Sequence, residues 1–553
     1  MNAAADPLVA IRDLSIALPP GSERAFAVTG LSLDLMPNEI LCVVGESGSG
    51  KSLLAGAVMG LLPPAVRIAR GSIRYGGREL VNLDQGAYRE LRGRSVSMVF
   101  QEPMTALNPV LTVHEQIDEV LRAHGIDDRA ARNGRILELL DATGLPDPER
   151  LQHAYPFKLS GGQRQRVMIA MALALEPDVL IADEPTTALD VTTQKQILEL
   201  LREIQQRTAL SILFITHDFG VVADIAHRVA VMQKGELVEA GDAGAVLGRP
   251  QHPYTRKLIE AVRRIAEDPA DHEEKGGGGP ILDLRNISKT YVTKASFFSS
   301  GIREVHALRD VTLSVARGET VGLVGESGSG KSTLGQVVVR LLEPDSGEVL
   351  FGGRDLKAMP RRDFVKVRPK IQMIFQDPYA SLNPRHRIGR VLTETQMLHG
   401  RSRTEAFERA MRMLGLVSLD RSALERYPHE FSGGQRQRIA IARALVLDPE
   451  LIVADEPVSA LDVSIQAQVL SLLQDVRAKL GLSMIFITHD LRVAAQLCDR
   501  IAVMRRGEIV ELGKSDDVLL RPRHDYTRLL CDSMAGSEWF GSAKELEKQR
   551  AEG

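Results

Sequence analysis

The sequence is poor in cysteine and contains no long apolar run. Its three cysteines, Cys42, Cys498 and Cys531, lie far apart, without the spacing of a disulfide framework or a metal site. This usage favours a reducing, cytosolic compartment. The most apolar stretch, residues 53–66, is shorter than a bilayer span and is interrupted by prolines. Any role at a membrane would therefore depend on partner proteins.

An excess of positive charge is also missing. The 69 Lys and Arg residues are balanced by 72 Asp and Glu residues, which gives a formal net charge of −3. Without a basic field, no nucleic-acid partner is expected. The first residues lack the basic segment and apolar core of a secretory signal, so secretion is not expected either. With 553 residues and 44% hydrophobic content, the composition is that of a globular chain with several domains.

A glycine-rich string, GESGSGKS, is the strongest chemical signal. It occupies residues 45–52, returns unchanged at 325–332 and fits the phosphate-loop pattern G-x-x-x-x-G-K-[ST]. A strand-like apolar run precedes the first copy, and a stretch of helical length follows at 53–62. Glycines let a backbone approach a triphosphate and turn its N–H groups inward, and a helix start attracts anions. The expected ATP-binding residues of the two loops are Gly45, Glu46, Ser47, Gly48, Ser49, Gly50, Lys51, Ser52, Gly325, Glu326, Ser327, Gly328, Ser329, Gly330, Lys331 and Ser332.

The last two residues of each loop have separate expected roles. Lys51 and Lys331 would reach the β- and γ-phosphates, and the hydroxyls of Ser52 and Ser332 would complete the Mg²⁺ shell. For one isolated match, a glycine-rich turn with a solvated lysine is the alternative. Two copies in register favour the phosphate-loop interpretation.

The sequence contains a tandem duplication. Besides the phosphate loop, the strings FQ[ED]P, SGGQRQR, ADEP and FITHD occur once in each half, in the same order. The two loop lysines are 280 residues apart, and from SGGQRQR onward the spacing is constant at 272 residues. Two repeats of this length indicate two domains rather than a solenoid. The predicted organisation is a first domain at 1–265, an acidic and glycine-rich linker at 266–280, a second domain at 281–535 and a C-terminal extension at 536–553.

Hydrophobic patterning predicts the same fold for both halves. Alternating apolar residues at the start favour antiparallel strands, and strands that alternate with helices further on favour a mostly parallel sheet covered by helices. Residues 113–145 have helical character and are interpreted as an inserted subdomain. The predicted fold class is α/β: two tandem P-loop domains, each a mostly parallel sheet core with an antiparallel β subdomain and an inserted helical subdomain.

An Asp-Glu pair ends an apolar strand in each half. Asp183 and Asp455 are expected in the Mg²⁺ coordination sphere, and Glu184 and Glu456 are expected to polarise an attacking water. As an isolated pair, such acids are most often solvated. A preceding phosphate loop and a Thr-His-Asp string about 30 residues further on favour the catalytic interpretation.

A glutamine and a histidine also follow apolar runs in each half. Gln101 and Gln376 would ligate Mg²⁺ or orient water without adding charge, and a polar strand end is the alternative. His217 and His489 would hydrogen-bond a γ-phosphate, and a structural histidine is the alternative. The functional interpretation of these four residues depends on the complete set of motifs.

The SGGQRQR string predicts a second anion-binding helix start in each half. Serine is a good N-cap residue, and the two glycines leave N–H groups accessible. Because one phosphate loop needs no second site far along the same chain, each string is expected to face the nucleotide held by the other module. The residues concerned are Ser160, Gly161, Gly162, Gln163, Ser432, Gly433, Gly434 and Gln435.

The ordered set of motifs resembles the ATP-binding-cassette (ABC) ATPases. The set comprises the phosphate loop, the glutamine loop, the SGGQ signature, the Asp-Glu strand end, an Ala-Leu-Asp loop (188–190 and 460–462) and the histidine, and it covers nearly the whole chain twice. The resemblance implies a composite ATP site formed by Lys51, Ser52, Gln101, Asp183, Glu184 and His217 with Ser432, Gly433, Gly434 and Gln435. It implies a second site formed by Lys331, Ser332, Gln376, Asp455, Glu456 and His489 with Ser160, Gly161, Gly162 and Gln163. Neither half lacks a motif, so both sites are expected to hydrolyse ATP.

The family also stacks adenine on an aromatic residue upstream of the phosphate loop. Tyr291 suits this role in the second half. The matching place in the first half is Leu18, so Phe26 is the substitute candidate there. Stacking of this kind contributes about 1 kcal/mol.

The end of each module resembles the oligopeptide/dipeptide branch of bacterial importers. RPQHPYTRKL at 249–258 and RPRHDYTRLL at 521–530 carry this likeness, together with FQEPMTALNP and FQDPYASLNP. A plain amphipathic helix end is the alternative for the tail. Some relatives bind an iron–sulfur cluster through cysteines after this tail, but only Cys531 is present here, so no iron–sulfur cluster is expected.

The leading hypothesis is therefore an ATP-driven uptake subunit with ATP and Mg²⁺ as cofactors. The resemblance implies two integral-membrane permease subunits and an extracytoplasmic solute-binding protein as partners, and a peripheral location at the cytoplasmic face of the inner membrane. Short peptides are the family default, although glutathione, peptide antibiotics, nickel chelates and sugars travel through related systems. The alternatives are a soluble twin-cassette ATPase acting on the ribosome, which would carry a long basic connector, and a DNA-repair ATPase, which would carry a coiled-coil or zinc insertion.

Overall fold

The chain divides into two compact units, residues 1–262 with 535–553 and residues 263–534. The structure is a computed structural model that describes residues 6–22, 24–187, 189–267, 279–294, 302–459, 461–536 and 539. Most of the predicted linker at 266–280, Ala188, Ala460 and nearly all of the predicted extension at 536–553 lie outside the described residues. The predicted domain boundaries therefore stay predictions.

The first unit contains an antiparallel sheet and a mostly parallel sheet. Its described strands are β1 (Val9–Ala17), β2 (Phe26–Leu35), β3 (Ile40–Val44), β4 (Arg67–Tyr75), β5 (Arg78–Glu79), β6 (Val96–Val99), β7 (Val179–Asp183), β8 (Ser211–Thr216), β9 (Arg228–Gln233) and β10 (Glu236–Asp242). The strand order is β2-β1-β4-β5 in the antiparallel sheet and β10-β9-β3-β8-β7-β6 in the other. Only β10 runs antiparallel within the second order. The predicted division into an antiparallel subdomain and a parallel core is confirmed.

Helices cover the parallel sheet and form the inserted subdomain. The described helices of this part of the chain are α1 (Lys51–Met59), α2 (Gln85–Leu91), α3 (Pro103–Ala106), α4 (Val113–Ala123), α5 (Arg129–Ala142), α6 (Pro148–Leu151), α7 (Gly161–Ala172), α8 (Val191–Thr208), α9 (Phe219–Ile225), α10 (Ala243–Gly248) and α11 (Pro253–Glu267). Helix α4 begins after Thr112, whose hydroxyl and the Glu115 side chain form a capping box. Helices α4 and α5 occupy the stretch 113–145 that the sequence predicts to be helical.

Helix α1 is shorter than the predicted 53–62 stretch at its carboxyl end. It stops at Met59 because Gly60 adopts a left-handed conformation, with φ of 62°. A Cβ at Gly60 would lie 2.5 Å from the Tyr88 ring, so this position also requires glycine for space. At its other end, α1 begins directly at Lys51, inside the phosphate loop.

The second unit repeats this architecture. Its described strands are β11 (Leu282–Lys294), β12 (Ile302–Val315), β13 (Thr320–Val324), β14 (Ser346–Phe351), β15 (Arg354–Asp355), β16 (Ile371–Ile374), β17 (Leu451–Asp455), β18 (Ser483–Thr488), β19 (Arg500–Arg505) and β20 (Glu508–Lys514). Its described helices are α12 (Lys331–Val338), α13 (Arg361–Val367), α14 (Pro378–Ser381), α15 (Ile388–Leu398), α16 (Arg403–Leu416), α17 (Gly433–Leu445), α18 (Val463–Leu480), α19 (Leu491–Leu497), α20 (Ser515–Leu520) and α21 (Asp525–Asp532). The sheet orders are β12-β11-β14-β15 and β16-β17-β18-β13-β19-β20, which match those of the first unit.

The core of each unit lies between its two sheets. In the first unit, Ile11 and Leu33 of the antiparallel sheet, Val43 and Ile181 of the parallel sheet and Leu54 of α1 belong to one buried apolar cluster. Strands β3, β7 and β8 are buried along their whole length, which explains their continuous apolar sequences. Among the described residues, none of the helices has both the length and the apolar character needed to cross a bilayer.

Parallel pairing brings the motifs to one edge of the sheet. Val44, the last residue of β3, pairs with Thr216 at the end of β8, and Asp183 at the end of β7 pairs with Ile215. Val99 at the end of β6 pairs with Ala182. The phosphate loop, the Asp-Glu pair, the histidine and the glutamine therefore all follow strands whose carboxyl ends are adjacent, where open α/β sheets bind their ligands.

Candidate active site

The phosphate loop needs glycine at two points where the backbone crosses another segment. Gly45 has φ of 154°, and a Cβ there would lie 2.2 Å from the carbonyl oxygen of Met232. Gly50 has φ of 103°, and its Cβ would lie 2.5 Å from the carbonyl oxygen of Ala27. Any side chain at either point would push the loop off the sheet. The second unit repeats both conformations at Gly325 and Gly330.

The loop closes around its own lysine. Lys51 is only 5% exposed, and its Nζ donates hydrogen bonds to the carbonyl oxygens of Gly45 at 2.7 Å and Glu46 at 3.0 Å. Lys331 makes the same two bonds, at 2.7 and 2.9 Å, to Gly325 and Glu326. A buried ammonium at the amino end of α1 or α12 creates a positive site suited to a phosphate.

The donors next to each lysine fit Mg²⁺. The Ser52 hydroxyl donates to Asp183 Oδ1 at 3.1 Å, and the Ser332 hydroxyl donates to Asp455 Oδ1 at 3.0 Å. Hydroxyl and carboxylate oxygens are the hard donors that Mg²⁺ prefers. Burial raises the pKa of both aspartates above the ordinary value. A divalent cation would favour their ionised form and so remove that cost.

Glu184 leaves the strand through a left-handed backbone conformation. Its φ is 45°, and its N–H donates to the carbonyl oxygen of Ile215 at 2.9 Å. The carboxylate then accepts hydrogen bonds from Gln101 Nε2 at 3.0 Å and from the Thr187 hydroxyl at 2.9 Å. His217 Nδ1 lies 3.3 Å from the same carboxylate. The structure therefore joins three sequence-predicted residues, Glu184, Gln101 and His217, in one cluster.

The second unit builds the same cluster from the matching residues. Glu456 has φ of 44°, and its carboxylate accepts from Gln376 Nε2 at 3.1 Å. His489 Nδ1 lies 3.4 Å from the Glu456 carboxylate. At the position of Thr187 stands Ser459, whose hydroxyl donates to the Glu456 main-chain oxygen at 3.1 Å. Sequence reasoning missed Thr187 and Ser459, although both follow the glutamate by three residues in each copy.

The glutamate and the histidine of each unit shift each other's pKa toward the charged form. Burial raises the pKa of the Glu184 carboxyl, but the hydrogen bond and charge of His217 outweigh burial, so this pKa lies below its ordinary value. Burial lowers the pKa of His217, and the Glu184 carboxylate more than reverses that effect, so the histidine pKa is raised. Glu456 and His489 shift in the same directions for the same reasons. An ionised carboxylate at neutral pH is what a general base requires.

The signature strings form helix starts, as the sequence predicts. The Ser160 hydroxyl accepts from Gln163 N at 3.2 Å, and the Gln163 side chain accepts from Ser160 N at 3.0 Å, which is a complete capping box. Ser432 and Gln435 form the same box at the start of α17. The pairing of each signature with the nucleotide of the other module stays a prediction.

The two glycines of the signature differ in their surroundings. A Cβ at Gly162 would lie 2.4 Å from Thr193 Cγ2 on α8, whereas a Cβ at Gly161 would meet Leu189 at an ordinary 3.7 Å. Gly434 faces Ile465 Cγ2 at 2.4 Å, and Gly433 faces Leu461 at 3.9 Å. The second glycine therefore serves helix packing, a reason that the sequence alone does not reveal.

The adenine-stacking candidates occupy different pairing positions. Tyr291 of β11 is 40% exposed and pairs with Val305 of β12. Phe26 is 39% exposed but pairs with Ala17, not with Leu18, which corresponds to Tyr291 in the first unit. Because neighbouring residues of a strand face opposite sides, Phe26 does not occupy the equivalent of the Tyr291 position. The adenine roles of both residues stay predictions.

Comparison with protein families decides the assignment. The ABC transporter model matches residues 28–187 and 308–459, more than half of the chain. The chain belongs to the ABC transporter family. The model of the oligopeptide/dipeptide transporter C-terminal region also matches, at residues 238–294 and 510–545. The predicted fold of two tandem ABC ATPase domains and the predicted ATPase activity are thus confirmed, and the ribosome and DNA alternatives are not favoured.

Two similar proteins, one named for transport and one for import, match nearly the whole chain. The "Peptidoglycan transport ATP-binding protein YejF" of Agrobacterium fabrum is 46% identical, over 95% of this chain and 96% of that protein. The "Glutathione import ATP-binding protein GsiA" of Escherichia coli O157:H7 is 44% identical, over 96% of this chain and 90% of that protein. A solved dimeric ABC transporter cassette, MJ0796, is 32% identical and covers 42% of this chain and 98% of that chain with a TM-score of 0.38.

Proposed function

We propose that this ABC ATPase energises the import of short peptides or peptide-like solutes through separate membrane permease subunits. The observation that carries the proposal is the match of both module ends to the oligopeptide/dipeptide transporter C-terminal region. Full-length relatives named for peptidoglycan transport and glutathione import support the same solute class. Cargo would be delivered by an extracytoplasmic solute-binding protein, and the chain would act peripherally at the cytoplasmic face of the inner membrane.

In the proposed mechanism, each unit hydrolyses ATP with its own cluster. Lys51 leaves its loop carbonyls to bind the β- and γ-phosphates, and Glu184 accepts a proton from the attacking water. Gln101 and His217 hold the Glu184 carboxylate and sense the γ-phosphate. Ser52 and Asp183 would hold Mg²⁺, and a bound Mg²⁺ would supply positive charge against the negative charge of the phosphate oxygens.

The matching cluster of the second unit takes the same roles. Lys331 binds phosphate, Glu456 accepts the proton, Gln376 and His489 hold the glutamate, and Ser332 with Asp455 would hold the ion. ATP binding increases the population of one conformation of the ATPase, and hydrolysis lets the other conformation return. This alternation between two conformations would drive the permeases.

Uptake measurements in cells test the proposed solute class. A strain that lacks this chain is complemented with wild type or with Glu184→Gln/Glu456→Gln, and uptake of labelled tripeptide, glutathione and peptidoglycan-derived peptide is followed. We expect uptake of at least one of these solutes with wild type and none above the deletion strain with the double variant. Equal uptake of all three solutes by the deletion strain and the wild type would contradict the proposal.

A further inference from the structure

The tail of each module touches the phosphate loop of the same unit. Tyr254, near the start of α11, accepts a hydrogen bond through its Oη from the N–H of Glu46 at 3.3 Å. Tyr526, near the start of α21, accepts one from the N–H of Glu326 at 3.1 Å. Both tyrosines are buried, with 8% and 2% of their surface exposed. The contact joins residues that lie 208 and 200 positions apart along the chain.

The tyrosine and the loop lysine hold the same residue from opposite ends. The N–H of Glu46 is taken by Tyr254, while its carbonyl oxygen accepts from Lys51 Nζ at 3.0 Å. The N–H of Glu326 is likewise taken by Tyr526, and its carbonyl oxygen accepts from Lys331 Nζ at 2.9 Å. Both peptide groups at the entrance of the loop are thereby fixed.

A carboxylate on the last strand of each unit aims the tyrosine. Glu239 on β10 accepts hydrogen bonds from the N–H groups of Gln251 at 2.7 Å and His252 at 3.1 Å. His252 Nδ1 then accepts from the N–H of Tyr254 at 3.2 Å. These bonds fix the turn that precedes α11 and so hold Tyr254 in the orientation that reaches the N–H of Glu46.

The second unit positions its tyrosine through the same set of hydrogen bonds. Glu511 on β20 accepts from the N–H groups of Arg523 at 2.9 Å and His524 at 3.0 Å, and His524 Nδ1 accepts from the N–H of Tyr526 at 3.1 Å. Arg505 also lies over the Tyr526 ring, 4.6 Å from its centroid. The bonds from glutamate through histidine to tyrosine therefore occur at the end of both modules, whereas Gln233 stands at the position of Arg505 in the first unit.

We propose that Tyr254 and Tyr526 are positioning residues that keep the two phosphate loops in the conformation that accepts a triphosphate. When phosphate oxygens replace the loop carbonyls as partners of Lys51, the carbonyl end of Glu46 is released, and the bond from its N–H to Tyr254 remains as the anchor. The tail thus sets the affinity of the loop for ATP without touching the nucleotide. This inference rests on the proposed role of the two loops in binding ATP.

Removal of the two hydroxyls is the direct test. In the full chain, Tyr254→Phe/Tyr526→Phe keeps both rings and deletes only the acceptors. Because each site loses one hydrogen bond, we expect KM for ATP to rise about three- to tenfold. The Kd of a non-hydrolysable ATP analogue, measured in the presence of Mg²⁺, should rise by the same factor, while kcat stays within about twofold. Each single variant should weaken one of the two binding steps in a calorimetric titration, which keeps the test available if the double variant does not fold.

A third tyrosine provides the matched control. Tyr88 is 6% exposed, and its hydroxyl donates to the carbonyl oxygen of Leu80 at 2.9 Å rather than to the loop. Tyr88→Phe should leave KM and Kd unchanged. Unchanged KM and Kd in the double variant, or an equal rise in Tyr88→Phe, would overturn the inference. Failure of wild type to bind the analogue would instead contradict the proposed ATP role of the loops.

Discussion

At the scale of single residues, Glu184 and Glu456 owe their direction to an uncommon backbone conformation. Successive side chains of a strand face opposite sides, so Asp183 and Glu184 would point apart if β7 continued. With φ of 45° and 44°, the two glutamates turn toward the edge where the phosphate loop begins. A left-handed non-glycine residue costs about 1 kcal/mol or more. The bond from the Glu184 N–H to the Ile215 oxygen helps to hold this conformation.

The signature glycines give a residue-scale prediction. Gly162→Ala should lower the free energy of unfolding by about 1–3 kcal/mol, because the new methyl group lies against Thr193 Cγ2. Gly161→Ala should be neutral or slightly stabilising, because its methyl group has room and alanine favours a helix by about 1 kcal/mol. Urea denaturation of the two variants measures the difference.

Both positions lie in the first turn of α7, so helix propensity applies to each and the pair serves as its own control. Gly434→Ala and Gly433→Ala should differ in the same way, because Ile465 stands where Thr193 stands. Equal unfolding free energies for Gly161→Ala and Gly162→Ala would show that α8 yields to the methyl group and that packing does not require the second glycine.

At the scale of elements, the sequence predicts what depends on local pattern. The apolar runs of β3, β7 and β8, the alternation in β1 and the serine caps of α7 and α17 are legible because each is set by neighbours in the chain. The end of α1 at Met59 was missed, although Gly60 is a glycine stop signal that the sequence itself displays. What the sequence does not display is the Tyr88 ring beside Gly60, which leaves no room there for a Cβ.

The second unit packs Gly322 of β13 against Cys498, which follows α19. The matching pair of the first unit also has one cysteine and one small residue, but on the opposite members of the pair. Gly322 in β13 would, with a Cβ, lie 2.9 Å from the Sγ of Cys498. In the first unit the two matching positions are Cys42 and Ala226, so the larger side chain stands on the strand instead. Both thiols are buried, which raises their pKa and keeps them protonated.

This exchange predicts strong coupling between the two positions. Gly322→Ala should lower the free energy of unfolding by about 1–3 kcal/mol through overpacking. Cys498→Ala should also destabilise, because it leaves a cavity. The double variant should lose less than the sum of the singles, with a coupling of about 0.5–3 kcal/mol. Urea denaturation of wild type, the two single variants and the double variant measures this coupling. If the effects of the two single variants add up in the double variant, the two side chains do not compete for the same space.

The turn before α11 gives a prediction on pH dependence. Burial raises the pKa of the Glu239 carboxyl, but hydrogen bonds from the main-chain N–H groups of Gln251 and His252 favour the ionised carboxylate, and the pKa lies below its ordinary value of 4.5. A lowered pKa in the folded state means that the stabilisation is present above about pH 4.5 and is lost as pH falls through the lowered value. Wild type should therefore melt at a higher temperature than Glu239→Gln at pH 7, and the difference should shrink below pH 4.5.

Melting curves of both proteins between pH 7 and acid measure this difference. Glu236→Gln, on the exposed side of the same strand, is the control and should follow wild type at every pH. A gap between wild type and Glu239→Gln that stays constant into the acid range would show that the carboxylate charge does not hold the turn.

At the scale of the whole molecule, the duplication made the motifs recognisable in the sequence but did not reveal the contacts that position them. Lys51, Ser52, Asp183, Glu184, Gln101 and His217 were predicted as a set, and hydrogen bonds link Ser52 with Asp183 and Glu184 with Gln101. The contact of Tyr254 with Glu46 was not predicted, because the two residues lie 208 positions apart and nothing in the two strings that contain them, RPQHPYTRKL and GESGSGKS, indicates that they meet. The sequence identifies residues that belong to chemical motifs, whereas the residues that position them, such as Tyr254, are identified only from the fold.

The central claim is that two complete clusters, one in each unit, hydrolyse ATP through Glu184 and Glu456. The most direct measurement is steady-state ATP hydrolysis by the purified full chain as wild type, as Glu184→Gln, as Glu456→Gln and as the double variant, with Glu90→Gln, exposed on α2, as a control. We predict that the double variant binds ATP but turns it over at least about 100-fold more slowly, that each single variant is slower than wild type, and that the control is unchanged. A double variant that hydrolyses ATP at the wild-type rate would contradict the account.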